Sequence, residues 1–415
     1  MKILLINKFH FPKGGSESYY FALGDALRSL GHEVIWFSMK DEKNVPCPQS
    51  GYFSRHVGLE EGQSALEKIR TALRFIYSPQ AGRSIAALIE KEKPDVAHLN
   101  LVHRHLTFSI VNRLKKNDVP MVFTMHDLIA LCPCYTMLSN GKVCDKCANG
   151  NPFYCVKNRC VRGSMFTSLL STLEAVYLRL SRGYDKINLY IAPSRFLRDR
   201  LVKSGFSKSP VLYKCNFLAP DFVYERSDQP GGYLLYAGRL SPEKGLRTLL
   251  KAYVAAKPEA DLYVAGDGPE REWAEQFVEK SGMGSRIRLL GHLDRASMAD
   301  VMAKSRAIVV PSEWYENCPY SIMEAMGKGK PVVAADTGGI PELVKDGKTG
   351  WLFRAFDQAE LEKALVKVVN MTDGEYEAMC QAALDEAVSR FDAKRYARDM
   401  VEIYEKLVSG EKVEG

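Results

Sequence analysis

The sequence predicts an α/β protein built from two doubly wound, Rossmann-like parallel-sheet domains facing a cleft. Three observations predict it. The chain has 415 residues, more than one ordinary hydrophobic core organises. Short apolar strands alternate with helix-period segments over residues 1–218 and again over 232–390, the pattern of a parallel sheet covered on both faces. Between the two runs, FLAPDFVYERSDQPGG (217–232) lapses into proline, glycine and charge, which marks a linker at 219–231.

The elements follow in order. KILLIN is the first strand, a better reading of the N-terminal MKILLINKFHFP than a signal peptide, since its apolar run is too short. After the glycine-bearing loop HFPKGGS, apolar residues at Tyr19, Leu23, Ala26, Leu27 and Leu30 recur at a helical interval, and Gly31 stops the helix. HEVIWFS, DVAHLN, MVFTMHD and NLYIAPS are further strands, and Ser194 caps the helix RFLRDRLVKSG. In the second run, YLLYAG, DLYVAG, RIRLLG, AIVVP and PVVAAD give a sheet of at least five strands. The last residues read as helices, and a C-terminal helix at 391–415 is expected to pack back on the first domain.

Composition narrows the class. Hydrophobic residues make up 46% and charged ones 26%, the balance of a soluble globular protein. The most apolar helical stretch, SLLSTLEAVYLRL, is broken by Glu174 and Arg179 and is not a membrane span. A cytoplasmic location with reduced cysteines follows as the expectation. The net charge of +7 is unevenly placed: residues 1–218 carry 31 Lys and Arg against 17 Asp and Glu. Much of that excess lies between Lys157 and Lys208, as a solvated helix face or as a patch for an anionic membrane surface; nucleic acid is not expected.

In doubly wound sheets ligands bind beyond the carboxyl ends of the strands. The loops there are PKGGSES, MHDL, AGRLSPEKG, AGDGPE, PSEWYENCPYS and ADTGGIPE. In PSEWYENCPYSIMEAM, Asn317 is expected to cap a helix whose first turn holds Pro319, leaving free N–H groups that suit a diphosphate. Glu316 stands before that helix, and Glu324, close to two turns past the cap, projects along its side. Two carboxylates so placed can each accept hydrogen bonds from a pair of vicinal hydroxyls, which a nucleotide joined to a sugar provides. Spacing alone leaves ordinary surface acids equally open. GGSES lacks the G-x-G-x-x-G spacing, which argues against a nicotinamide enzyme.

Glu316 to Glu324 fits the E-x7-E signature, and with AGRLSPEKG, GDGPE, EAMGKGKPVVAADTGGIPELV and DGKTGWLF the chain resembles retaining glycosyltransferases of family 4. The resemblance covers residues 232–355, with weaker matches at PKGGSE and MHD. It implies the GT-B architecture, a UDP- or GDP-linked sugar donor, retention of configuration and no metal or other cofactor at the catalytic centre. It also implies roles. Arg239 and Lys244 would hold the donor phosphates, Glu324 the ribose and Glu316 the transferred sugar. The backbone from Asn317 through Cys318 and Pro319 to Tyr320 would support sugar and phosphates, although ENCP departs from the family's glycine-rich E-G-F-G. Gly14 and Gly15 would admit the diphosphate closely, and His126 would touch the transferred sugar or the attacking group. The acceptor would be a glycan or a lipid-linked glycan, as in surface polysaccharide assembly. A nucleotide-sugar epimerase and a non-catalytic nucleotide-sugar-binding protein are the alternatives.

An insert at 132–160 holds Cys132, Cys134, Cys144, Cys147, Cys155 and Cys160. Cys144-x-x-Cys147 suggests a structural zinc, for which Cys132, Cys144, Cys147, Cys155 and Cys160 are the candidate ligands; six thiols exceed the four a zinc takes, so disulfides and free thiols stay open.

Overall fold

The structure, a computed structural model, describes residues 1–56, 65–226 and 231–413, without the side chains of residues 65–69. Residues 227–230 of the expected linker and 414–415 of the C-terminal segment lie outside the described residues. Two compact units emerge: Met1–Asn140 with Cys144–Pro220 and Ala393–Gly415, and Asp221–Asp392 with Gly141–Val143.

The sheet of the first unit contains β1 (Lys2–Ile6), β2 (Glu33–Phe37), β3 (Val96–Leu99), β4 (Met121–Thr124), β5 (Leu189–Ala192) and β6 (Val211–Tyr213), in the spatial order β2-β1-β3-β4-β5-β6. Every pairing is parallel, with Ile3 beside both Val34 and Val96. β1 and β3 to β5 are buried almost without interruption, as strands covered on both faces must be. The first helix, Gly15–Ser29, turns Tyr19, Leu23, Ala26 and Leu27 inward, and Gly31 follows it at φ 84°. Ser194 caps the helix Arg195–Ser204 by accepting from the Leu197 N–H at 3.1 Å.

The C-terminal helix Ala393–Val408 belongs to this unit through polar bonds inside apolar packing. The Tyr396 hydroxyl meets that of Tyr19 at 2.8 Å, its ring stacks on Phe217 at 4.3 Å, and the Tyr404 hydroxyl reaches His98 Nδ1 at 2.5 Å.

The sheet of the second unit contains β7 (Tyr233–Ala237), β8 (Asp261–Ala265), β9 (Ile287–Gly291), β10 (Ala307–Val310), β11 (Val332–Asp336) and β12 (Gly350–Arg354). Its order is β9-β8-β7-β10-β11-β12, again all parallel. Strand order reverses between β7 and β10, so the loops leaving their carboxyl ends diverge and open a crevice. Those loops are AGRLSPEKG and PSEWYENCPYS.

Both sheets have six strands, one more in each than the periodicity marks. The additions, β6 and β12, are edge strands. β6 has only three residues, and β12 begins at a glycine and carries half-buried Trp351 and Leu352, so neither shows the continuous apolar run of an inner strand.

Candidate functional site

At the reversal point of the second sheet the chain makes four loops, three of them glycine-bearing, in contact with one another's backbone. Two of these glycines are indispensable. Gly245 has φ 72°, and a Cβ there would stand 1.8 Å from the Pro311 carbonyl oxygen; Gly338 has φ 61°, and its Cβ would stand 2.1 Å from the Glu316 carbonyl oxygen. Both positions combine a left-handed backbone with a contact that no side chain fits. The Gly339 N–H donates to that same Glu316 carbonyl at 2.7 Å, so the ADTGGIPE loop braces the residue from behind. Replacement of Gly338 by Ala is expected to lower the unfolding free energy by at least about 2 kcal/mol, read as a shifted denaturant midpoint.

The Glu316 side chain is buried, and Lys244 Nζ and Ser312 Oγ donate to its Oε1 at 2.6 and 2.8 Å. Burial by itself would push this carboxyl up; the Lys244 charge and the donated hydrogen bonds outweigh it and hold the group below the usual glutamate value. Lys244 lies on a short turn, Pro242–Lys244, with its ammonium 5.0 Å from the centre of the Trp314 ring. One of its three N–H groups is therefore spent on Glu316, and two are left for another acceptor. Arg239, two residues past β7, is exposed, and no partner for its guanidinium occurs among the described residues.

The helix that follows differs from expectation. It spans Tyr320–Gly327, with Pro319 at the capping position in extended geometry (ψ 123°) and no side-chain cap bond. Asn317 is not its cap: it lies in a bend with Cys318, and the ring of Pro319 disfavours a helical backbone at the residue before it, so the helix starts only after the proline. Glu324 consequently lies about one turn into the helix, not two. The Cys318 side chain points inward, its Sγ 3.5 Å from Met323 Sδ, so only its backbone faces the loop side. Glu324 itself is half-buried and held up to about 7, by burial that the more distant Arg295 charge only partly offsets. Arg295 is already engaged in a two-pronged pair with Asp221 at 2.7 and 2.9 Å. The helix start thus has one carboxylate kept ionised and one poised to titrate near neutrality.

In the first unit, His126 follows β4. Asn100, at the end of β3, turns its Oδ1 to the ring because its amide nitrogen donates to the Ile6 carbonyl, and His126 Nε2 donates to that oxygen at 2.8 Å. Burial lowers the imidazole to about 3, so it is neutral with the proton on Nε2. Asp127 does not orient the ring; its Oδ1 accepts from the Ile129 N–H at 3.0 Å and closes the next turn. Gly14 precedes the first helix at φ −171°, ordinary extended backbone, and a Cβ there would meet nothing closer than Glu17 Oε2 at 3.7 Å. The fold does not demand glycine at that position. Gly15 opens the helix, and behind it Glu17 is buried, accepting from Asn7 Nδ2 at 3.0 Å and Ser16 Oγ at 3.0 Å.

The structure brings Lys244 and Glu316 together, sets Glu324 on the helix that follows, and keeps Gly14, Gly15 and His126 in the other unit. Sequence reasoning missed Ser312, Asn100 and Arg295. The first two had a legible signal, since each is a polar residue at the carboxyl end of a parallel strand; Arg295, after β9, had none. A cavity of about 950 Å³ lies elsewhere in the second unit, around Trp351, Val366, Lys367, Met371 and Met379, at the amino ends of the strands. None of the candidate residues lines it.

The cysteine insert brings several of its thiols near one another. Its thiols are free, and among the described residues no three His, Cys, Asp or Glu side chains are arranged to hold a metal. Cys132 and Cys134 approach to 3.4 Å, and burial together with neighbouring thiols raises Cys155 to about 12.

Comparison with known proteins agrees with this architecture. The pattern of Glycosyltransferase Family 4 matches residues 13–217, and that of Glycosyl transferases group 1 matches residues 222–385. An uncharacterized glycosyltransferase of Methanocaldococcus jannaschii is 25% identical over 89% of each chain. Sucrose-phosphate synthase from Thermosynechococcus elongatus has the same fold, with a TM-score of 0.72 at 20% identity over 99% of this chain and all of that one. Anabaena HepE, solved in complex with UDP, superposes with a TM-score of 0.65 at 18% identity over 98% of this chain and all of that one. Two Rossmann-like parallel sheets, with these patterns matching over residues 13–217 and 222–385, define the chain: it is a glycosyltransferase of GT-B architecture.

Proposed function

We propose that the protein is a retaining glycosyltransferase that moves a hexose-type sugar from a UDP- or GDP-linked donor to a glycan or lipid-linked acceptor, in the assembly of a surface polysaccharide. The observation that carries the reading is the Lys244–Glu316–Ser312 cluster at the sheet's reversal point, followed within one helix by Glu324. The buried carboxylate of Glu316, held ionised, suits acceptance of two sugar hydroxyls. Glu324, ionised above about pH 7, suits the ribose.

The chemistry requires negative charge to build on the departing diphosphate. Lys244, with two N–H groups to spare, the exposed Arg239 and the amides between Asn317 and Tyr320 are set in advance to favour that charge. His126 in this reading acts as a neutral hydrogen-bonding group toward the transferred sugar or the incoming hydroxyl, not as a cation. Space at Gly14 for a side chain that the sequence does not supply fits close approach of a ligand there. The known binding of UDP by Anabaena HepE supports a nucleotide donor. No metal enters the chemistry as proposed.

The test is product analysis with a labelled donor. Incubation with UDP- and GDP-hexoses in the presence of a glycan acceptor is expected to yield an elongated product with the donor's anomeric configuration, read by NMR. Inverted product would exclude a retaining mechanism. Conversion of the donor sugar to its epimer without transfer would replace the reading by an epimerase, and binding without turnover by a nucleotide-sugar-binding protein.

A further inference from the structure

The helix Met165–Leu180 is oriented against the usual rule for a water-soluble protein. Its inward side carries Ser168, Ser171, Thr172, Glu174 and Leu178, whereas Phe166, Leu169, Leu173 and Leu180 face solvent, with Leu180 80% exposed. The outward residues recur at intervals of three, four and seven, within one narrow arc of the helix. This rotation is fixed by hydrogen bonds to the segment before it. Ser168 Oγ accepts from the Val161 N–H at 3.0 Å, Thr167 Oγ1 donates to the Val161 carbonyl at 2.7 Å, and Thr172 Oγ1 donates to the Pro152 carbonyl at 3.3 Å. Glu174 is anchored beneath, accepting from the Arg104 N–H at 2.9 Å. The helix cannot turn its leucines inward without leaving these groups unsatisfied.

The stripe is not isolated. Eight of the fifteen exposed large apolar side chains among the described residues lie between Tyr135 and Leu180, with Phe153, Tyr154 and Met165 beside the helix stripe. Its neighbours along the chain carry one sign of charge. From 153 to 182 the only acid is the buried Glu174, while Lys157, Arg159, Arg162, Arg179 and Arg182 are exposed. Apolar side chains rimmed by cations match an anionic bilayer surface, where acyl chains take up the stripe and lipid phosphates meet the bases. Sixteen residues with a polar buried side cannot span a bilayer, and among the described residues no helix is long and apolar enough to do so.

We infer that the outward face of the Met165–Leu180 helix, with its rim of Lys157, Arg159, Arg162, Arg179 and Arg182, is a docking surface for an anionic membrane. The helix lies in the interface plane, with Phe166, Leu169, Leu173 and Leu180 entering the acyl boundary. This goes beyond the transfer reaction and does not depend on which donor or acceptor is used.

The experiment is cosedimentation of the full chain with vesicles of phosphatidylcholine, with and without phosphatidylglycerol. The expected result is binding to the mixed vesicles at low salt that weakens steeply as salt rises, and little binding to phosphatidylcholine alone. The variant combining Phe166→Ser, Leu169→Ser and Leu173→Ser should bind at least about tenfold more weakly, since three inserting side chains are lost. In a second measurement, brominated acyl chains should quench the fluorescence that a Leu173→Trp substitution adds to the native signal. Absence of binding by the native chain would overturn the inference. So would unchanged binding by the serine variant, or no quenching of the added fluorescence in the Leu173→Trp variant. Loss of a concentration-dependent self-association in the serine variant, without any vesicle binding, would assign the stripe to a second copy instead. Vesicle binding is measured without donor, so its failure leaves the transfer reaction untouched.

Discussion

Replacement of Glu316 by Gln is expected to lower kcat/KM for transfer by about a thousandfold or more, the scale of losing a preorganised polar contact to the reacting sugar. Two consequences of the substitution must be separated. The amide cannot balance the Lys244 ammonium, which is only about a quarter exposed in this pair, so some stability is lost too, about 1 kcal/mol after allowance for partial solvation. That loss shifts the melting midpoint by a few degrees and leaves the circular dichroism spectrum unchanged. The contact with the sugar has its own signature. A donor lacking the hydroxyls that Glu316 accepts should slow the native enzyme nearly as much as the substitution does, and should slow the Gln variant little further. Additive losses would place the carboxylate away from the sugar.

The second large effect is at Glu324, where stability and binding are expected to move in opposite directions. Between its usual value of 4.5 and about 7, folded Glu324 retains a proton that the unfolded chain has lost. The folded state binds more protons in that window, so stability falls as pH rises through it and is constant above it. Glu324→Gln removes the penalty of ionising a half-buried carboxyl. The variant should therefore be more stable than the native chain at pH 8, by about 2 kcal/mol, and no more stable at pH 4. Nucleotide affinity should run the other way. Native affinity is expected to improve by up to about tenfold per pH unit as pH rises toward 7 and the carboxylate forms, and to level off above it; the Gln variant should bind weakly at every pH. Thermal melts and calorimetric titrations over pH 4–9 check both halves. A flat native titration would remove Glu324 from the ribose.

The parallel architecture was legible in the inner strands, because strands buried on both faces are continuous apolar runs, as in KILLI and AIVV. The edge strands VLY and GWLFR lack that constraint and were not legible. The linked motifs located the loops of the second sheet correctly relative to its carboxyl ends, but local helix signals misplaced one boundary. An asparagine before a proline reads as a cap, whereas the chain keeps Pro319 extended and begins the helix at Tyr320. Contacts between distant positions were beyond periodicity: nothing local to Glu316 announces that Lys244, 72 residues away, completes its ion pair. The polar underside of the Met165–Leu180 helix was likewise hidden, since its partners come from the irregular segment before it.

Diffraction from crystals grown with a nucleoside diphosphate probes the proposed donor site most directly. The expected density has the ribose hydroxyls on Glu324 and the diphosphate on Lys244, Arg239 and the amides between Asn317 and Tyr320. A nucleotide lodged in the cavity around Trp351 and Met379, with both glutamates left untouched, would contradict it.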